Sequence, residues 1–199
     1  ENSRVPILKE GINLRPLAGA SAPGLGDLAS TENAPLVALN SVFWSDGMLL
    51  ELADGVCLEQ PVHLYFLTDK NATGKLVTPR NLIRTGRGCQ ATIIEHFEQV
   101  AKDELLNAPV TEVFCGADSK IVHLKIIEES AAALHLGSTH VQQAEGSNYS
   151  SVEFAMSGKL VRRELHLDLA GKGASCNLTA LSMAGGDQRR DMRTRVAHL

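Results

Sequence analysis

From Gly86 to Leu199 the chain is strand-like throughout, broken by glycines, and it carries no proline beyond Pro109. Four segments in this stretch share a plan. Residues 88–95, 116–124, 146–154 and 173–181 each open on glycine, continue with small or polar residues and close on alternating apolar ones. The leading glycines, Gly88, Gly116, Gly146 and Gly173, stand 28, 30 and 27 positions apart. Recurrence at such a period is the mark of stacked repeats. A single unit cannot bury its apolar side alone; it does so by stacking on its neighbour, strand upon strand at about 4.8 Å. The lack of proline fits, because every ladder strand needs its N–H. Each interval also holds a second strand-like run, at residues 110–114, 136–142 and 165–169. A unit of two strands and two corners is one flattened coil of a parallel β-helix. An antiparallel β-sandwich or jelly roll, in which short strands also recur between turns, is the competing architecture. The apolar phase slips between copies, so the repeat is degenerate in detail.

At 199 residues there is chain enough for one sizeable core. Only 4% of residues are aromatic, so that core is built from Leu, Val, Ile and Ala. A net charge of −4 argues against a nucleic-acid partner, which leaves a basic footprint. No apolar run reaches 18 residues, so no membrane span is expected. The chain opens on Glu1 without an apolar leader, and its four cysteines form no CxxC pair. Together these give the expectation of free thiols, a cytoplasmic location and a piece of a longer protein.

In chain order, residues 1–45 form a lead-in with few regular elements, followed by a short helix. Pro6, Pro16, Pro23 and the glycine-rich run from Gly19 shape the lead-in. Thr31 or Asn33 is the expected helix cap and Pro35 suits the first turn. Leu36, Leu39 and Phe43 form its apolar face, and Asp46-Gly47 ends it. Residues 46–199 are the β-helix core, cut short at the C-terminal end. Its first strand spans residues 48–52, Pro61 marks a corner and residues 69–74 a polar loop. A strand follows over residues 81–85. Residues 98–107 read as a solvent loop or short helix, and residues 130–133 as another corner.

Candidate chemistry is sparse. By parity Cys89 goes with Ala91 and Ile93, and Cys176 with Ala174 and Leu178, so both point into the core as small hydrophobes. Cys57, Cys89 and Cys115 are spaced close to one repeat and could stack as a thiol column. His135, His140 and Glu145 resemble a metal set, but the two histidines have opposite strand parity. His123 and His166 sit among aliphatic residues as solvent-face or satisfied core groups. Glu95-His96 is an acid/base pair only if a pocket surrounds it. Arg189, Arg190, Arg193 and Arg195 alternate with Asp187 and Asp191 as a solvated strand face. There is no phosphate-cradling GxxxxGK[ST] and no GxSxG elbow. The residues therefore describe a scaffold rather than an enzyme, with no assignable catalytic, cofactor or metal ligand.

Several stretches carry a resemblance. Arg84-Thr-Gly-Arg-Gly, Thr92-Ile-Ile-Glu-His-Phe, Ser119-Lys-Ile-Val-His-Leu-Lys and the closing Asp191-Met-Arg-Thr-Arg-Val-Ala-His resemble the SufB/SufD family of iron–sulfur cluster assembly proteins. Asp54-Gly-Val and Gln60-Pro-Val are similar to the entry of its core domain, and the overall pattern is most like SufD. The resemblance implies a right-handed parallel β-helix. It also implies a non-catalytic subunit of the SufBCD scaffold complex, partnered by a SufB-like paralogue and by a SufC-like ATPase. The ATPase contact would run through a C-terminal region absent here. The iron–sulfur cluster would be handled transiently by the whole complex, with no cofactor expected on this chain. An open ladder at residues 196–199 adds a possible homodimer. The alternatives are a metal-dependent enzyme on a cupin-like β-sandwich, using His135, His140 or His166, and a carbohydrate-active β-helix, for which no acidic column is evident.

Overall fold

The computed structural model describes residues 10–17 and 22–199. Pro6 and the start of the glycine-rich run at Gly19 lie outside the described residues. In chain order the elements are β1 (Ile12–Pro16), α1 (Pro35–Phe43), β2 (Met48–Leu52), β3 (Val62–Thr68), β4 (Leu76–Val77), β5 (Arg80–Thr85), β6 (Gln90–Gln99), β7 (Leu106–Asn107), β8 (Val110–Cys115), β9 (Lys120–Glu128), β10 (Leu134–Gln143), β11 (Asn148–Ala155), β12 (Leu160–Leu169), β13 (Ser175–Ser182) and β14 (Arg189–His198). The chain alternates between two sheets. Sheet I runs β1-β2-β5-β8-β10-β12-β14, with β4 and β7 as a short extension, and sheet II runs β13-β11-β9-β6-β3. Apart from the antiparallel β1–β2 edge, every ladder is parallel, giving a parallel β-helix of about five turns. Parallel ladders exclude the sandwich, whose neighbouring strands run antiparallel.

The glycines act in two columns. Gly88, Gly146 and Gly173 take left-handed φ of 67°, 66° and 74°. The residue stacked between Gly88 and Gly146 is not Gly116 but Asp118, with φ of 59°. Gly116 belongs to a second column, where coils approach closely: a Cβ there would lie 2.4 Å from Gly86 O. The single glycine period of the sequence thus spans two different roles, and that offset produces the slip in apolar phase.

The main interior cluster gathers inward side chains of both sheets, including Leu50, Ile83, Ile93, Val113, Ile121 and Leu167. The lead-in supplies more than turns, because β1 caps the edge of sheet I. The helix forms over Pro35–Phe43 with proline in its first turn, but its cap and its face differ from expectation. Ala34 is the N-cap, without a side-chain bond, and Asn33 instead makes a left-handed turn with φ of 55°. Val37 and Asn40 are buried, whereas Phe43 is 58% exposed. The reason is polar. Asn40 Nδ2 donates to Pro79 O at 3.0 Å and Ala108 O at 2.9 Å, so it bridges two successive coils and turns its own face of the helix inward. Residues 98–107 hold no helix: β6 continues to Gln99, and β7 pairs with β4 and β10.

Candidate functional site: a charged column inside the β-helix

The pleat sends alternate residues of each strand into the lumen. On β6 those are Ala91, Ile93, Glu95 and Phe97, and on β9 Ile121, His123, Lys125 and Ile127. The register then sets Glu95 against Lys125, and Lys125 against Glu153. The result is an inward column of alternating sign, every member buried. Stacking opposite charges on adjacent rungs is what makes such burial tolerable, since a lone ion in this medium is strongly disfavoured.

Glu95 is the hub. Its Oε1 accepts from Asn81 Nδ2 at 2.6 Å and Thr111 Oγ1 at 2.7 Å, both inward residues of sheet I. Its Oε2 lies 2.8 Å from Lys125 Nζ and 3.1 Å from His123 Nε2. Lys125 also donates to Thr139 Oγ1 at 2.9 Å. The other ring nitrogen of His123 lies 2.8 Å from Tyr149 Oη. With Nε2–H donating to the carboxylate and Nδ1 accepting from the phenol, neutral His123 satisfies both neighbours. One coil on, Arg163 pairs with Glu153. Between β11, β12, β13 and β14 the lumen opens into a cavity of about 180 Å³. Glu153, Arg163, Thr179 and Thr194 are among its lining residues.

Burial alone would raise the Glu95 carboxyl, but Lys125 and His123 outweigh it and hold the group well below the usual carboxylate range. Desolvation lowers His123 and Lys125, and raises Tyr149 well above an ordinary phenol. It brings Arg163 down to about 10. His123 is thus held neutral between a carboxylate and a phenol, an ordered line of exchangeable protons across the lumen. A second buried group lies nearby. Glu129 accepts from Asn107 Nδ2 at 2.6 Å and faces His135 Nδ1 at 3.3 Å.

The residues singled out from sequence separate rather than converge. Cys115 stacks on Thr85 and Gln143 in sheet I, while Cys57 bridges to Gln90 at the margin of sheet II. Cys89, one residue earlier, hydrogen-bonds to Ala53 O at 3.0 Å. The three thiols therefore occupy different rungs, and no column forms. Cys89 is buried in the core and Cys176 packs half-buried against it, as parity indicates. Burial raises the Cys89 thiol and pushes Cys115 up to about 12, so both stay protonated. His135 points inward, His140 lies on the outer face of sheet I and Glu145 is exposed in a turn. The His140 ring stacks on His166 at 4.7 Å, with Ser138 Oγ 2.7 Å from its Nε2. Among the described residues no three His, Cys, Asp or Glu side chains are placed to hold a metal ion. Glu95 and His96 face opposite sides of β6, and His96 pairs outside with Glu128 at 2.9 Å. His123 is a satisfied core residue. Of the terminal arginines, Arg189, Arg193 and Arg195 are exposed, and Asp191 pairs back to Arg162 at 3.4 Å. Among the described residues no helix is long and apolar enough to cross a membrane.

Outside the lumen, sheet I carries one more buried carboxylate. Glu112 pairs with Arg80 at 2.7 Å and accepts from the backbone N–H of Gly26, Leu28 and Ala29 at 2.8 to 3.1 Å. It ties the lead-in to the sheet.

Comparison with known proteins agrees with this architecture. Residues 66–199 match the SufBD core domain of the SUF system for FeS cluster assembly. An iron–sulfur cluster assembly SufBD family protein of Synechocystis is 24% identical over 167 residues, which are 80% of this chain and 37% of that protein. The chloroplastic protein ABCI7 of Arabidopsis thaliana is 28% identical over 170 residues, 78% of this chain and 35% of its own. A SufBD family protein of Staphylococcus saprophyticus is 24% identical, covering 81% and 34%. The chain spans about a third of the length of the curated relatives it matches. With the β-helix, its register and a core-domain match over most of its length, the chain belongs to the SufBD family of iron–sulfur cluster assembly proteins.

Proposed function

We propose that the chain is the β-helix core of a SufD-like, non-catalytic subunit of a SufBCD-type scaffold, acting in the cytoplasm. Its partners would be a SufB-like paralogue and a SufC-like ATPase, and the iron–sulfur cluster would be the complex's cargo rather than a resident cofactor. The observation that carries this reading is the core-domain match over residues 66–199. It is supported by a lumen whose charged groups are engaged with one another. Such an interior gives a stiff support with a fixed register, which is what a subunit that positions partners requires. Anaerobic co-purification of the natural-length protein with SufB-like and SufC-like proteins of the same organism tests it. Recovery of both partners is expected. Recovery of neither would overturn the assignment.

A further inference from the structure

The outer face of sheet II reverses the usual order of a solvent-facing sheet. Ile94, Leu124 and Val152 line one outward row, and Ile126, Phe154 and Leu181 the next, on adjacent rungs of four neighbouring strands. Leu181 is 49% exposed and Met156, beside Phe154, 39%. At one margin of these rows stand Glu98 and Glu128, opposite one another on neighbouring rungs. Glu98 accepts from Tyr65 Oη and Glu128 faces His96, and among the described residues neither pairs with a lysine or arginine. Like charges one rung apart repel, and a cation set between them would relieve both. A contiguous apolar face with an acidic margin that meets only a histidine and a phenol marks an interaction surface.

The partner's form follows from the backbone. The inner strands beneath the patch, β6, β9 and β11, already spend their N–H and C=O groups in ladders on both sides, and the one open edge of β13 lies in the plane of the sheet, so an occupant lying over the face must bring a self-satisfied backbone. A helix does so, and two apolar rows suit residues at i, i+3, i+4 and i+7. Sheet I already carries a helix on its outer side, where Val37 of α1 packs with Val110 and Asn40 bonds to the corner carbonyls of Pro79 and Ala108. We propose that the outer face of sheet II is the docking site for a separate protein presenting an amphipathic α-helix whose apolar stripe is edged by lysine or arginine. This goes beyond the SufD-like reading and does not depend on it, since the surface is a property of sheet II whichever subunit the chain is.

The test uses the natural-length protein and two synthetic helical peptides with the same leucine stripe, one edged with lysine and one with glutamate. Fluorescence anisotropy reads affinity, and hydroxyl-radical footprinting reads oxidation of Phe154 and Met156. The lysine-edged peptide is expected to bind at least about tenfold more tightly than its counterpart, a difference of about 1.4 kcal/mol, and to protect both residues. Phe154→Glu, and separately the more exposed Leu181→Glu, should each weaken it about tenfold. Glu98→Gln with Glu128→Gln should erase the preference between peptides. Equal binding of both peptides, or binding indifferent to these variants, overturns the proposal. So does protection of Phe154 and Met156 in the protein alone, which would place its own chain there. Protection that grows with protein concentration overturns it as well, by placing a second copy there.

Discussion

On the outer face of sheet I the chain buries Arg80, Glu112 and His140 under a cover that also seals Leu82; on the outer face of sheet II it leaves a run of apolar side chains part-exposed. Arg80, Glu112 and His140 lie beneath the lead-in and helix α1, each at most 7% exposed. Leu181, Val122 and Met156 on sheet II are 38% to 49% exposed. Between the two faces the lumen is mixed, apolar over most coils and ionic along Glu95, Lys125 and Glu153. Hydropathy thus does not say which side of these strands is inside. Register does, because a buried charge is tolerated only where the next rung supplies its opposite. The contrast between the covered, the enclosed and the bare face can be broken at defined residues.

The largest effect is expected in the lumen. Lys125→Met leaves Glu95 buried without its main countercharge, and loss of one member of a buried pair costs about 3–5 kcal/mol. Urea unfolding should show that loss. Adding Glu95→Gln should recover much of it, because the stranded charge is then gone. A single variant within 1 kcal/mol of wild type would mean that the column is not ionised.

Glu112→Ala comes next. It removes the partner of Arg80 and the acceptor of three lead-in amides, a change on the order of 3 kcal/mol if the site stays closed. The effect should be local. Hydrogen exchange at Gly26, Leu28 and Ala29 is expected to accelerate at least about tenfold, while the amides of β9 and β11 change far less. Uniform acceleration across both sheets would show that the lead-in and the coils unfold as one unit.

Acid should act on the covered face. Burial, with a smaller contribution from His166, brings His140 down to about 4, below the ordinary 6.5. A lowered pKa means that the unfolded chain takes up the proton first. Stability is therefore full above about pH 6.5 and falls as the pH drops toward 4. Between pH 7 and 5 this one group accounts for about 2 kcal/mol. His123, also lowered by burial, acts in the same direction. Replacing His140 by glutamine should flatten the stability profile over that interval by about the same amount, and an unchanged slope would assign the acid sensitivity elsewhere.

The repeat and the inward thiols could be read from spacing and parity, and the parallel coil once the family resemblance was added to the spacing, but the ionic column could not. On β9 both parities are apolar in part: Ile121 and Ile127 share a side with His123 and Lys125, while Val122, Leu124 and Ile126 share the other. Hydropathy along one strand cannot choose between them. The signal that could have chosen lies across strands, in the alternating signs of Glu95, Lys125 and Glu153. Seeing it needs the correct register, and Gly116 pointed to a wrong one. It answers to Gly86 through close approach, whereas Asp118 fills the left-handed position held elsewhere by Gly88 and Gly146. The helix face was missed for a related reason. Asn40 is buried because it bonds to two coil carbonyls, and no intrahelical pattern encodes that.

The smallest effect is expected at the bare face, and that smallness is its content. Leu181 stands on the outermost strand of sheet II, 49% exposed, with Phe154 as its rung neighbour. Changing it to serine removes little buried area, so unfolding free energy should move by no more than about 0.5 kcal/mol. Leu82, outward on sheet I but fully buried by the lead-in, should lose about 2–5 kcal/mol on truncation to alanine. The two leucines occupy corresponding outward positions on opposite walls of one β-helix, so the gap between them measures what covering a face contributes. If Leu181→Ser costs as much as Leu82→Ala, something already covers sheet II in the folded protein, and its outer face is a core rather than a surface.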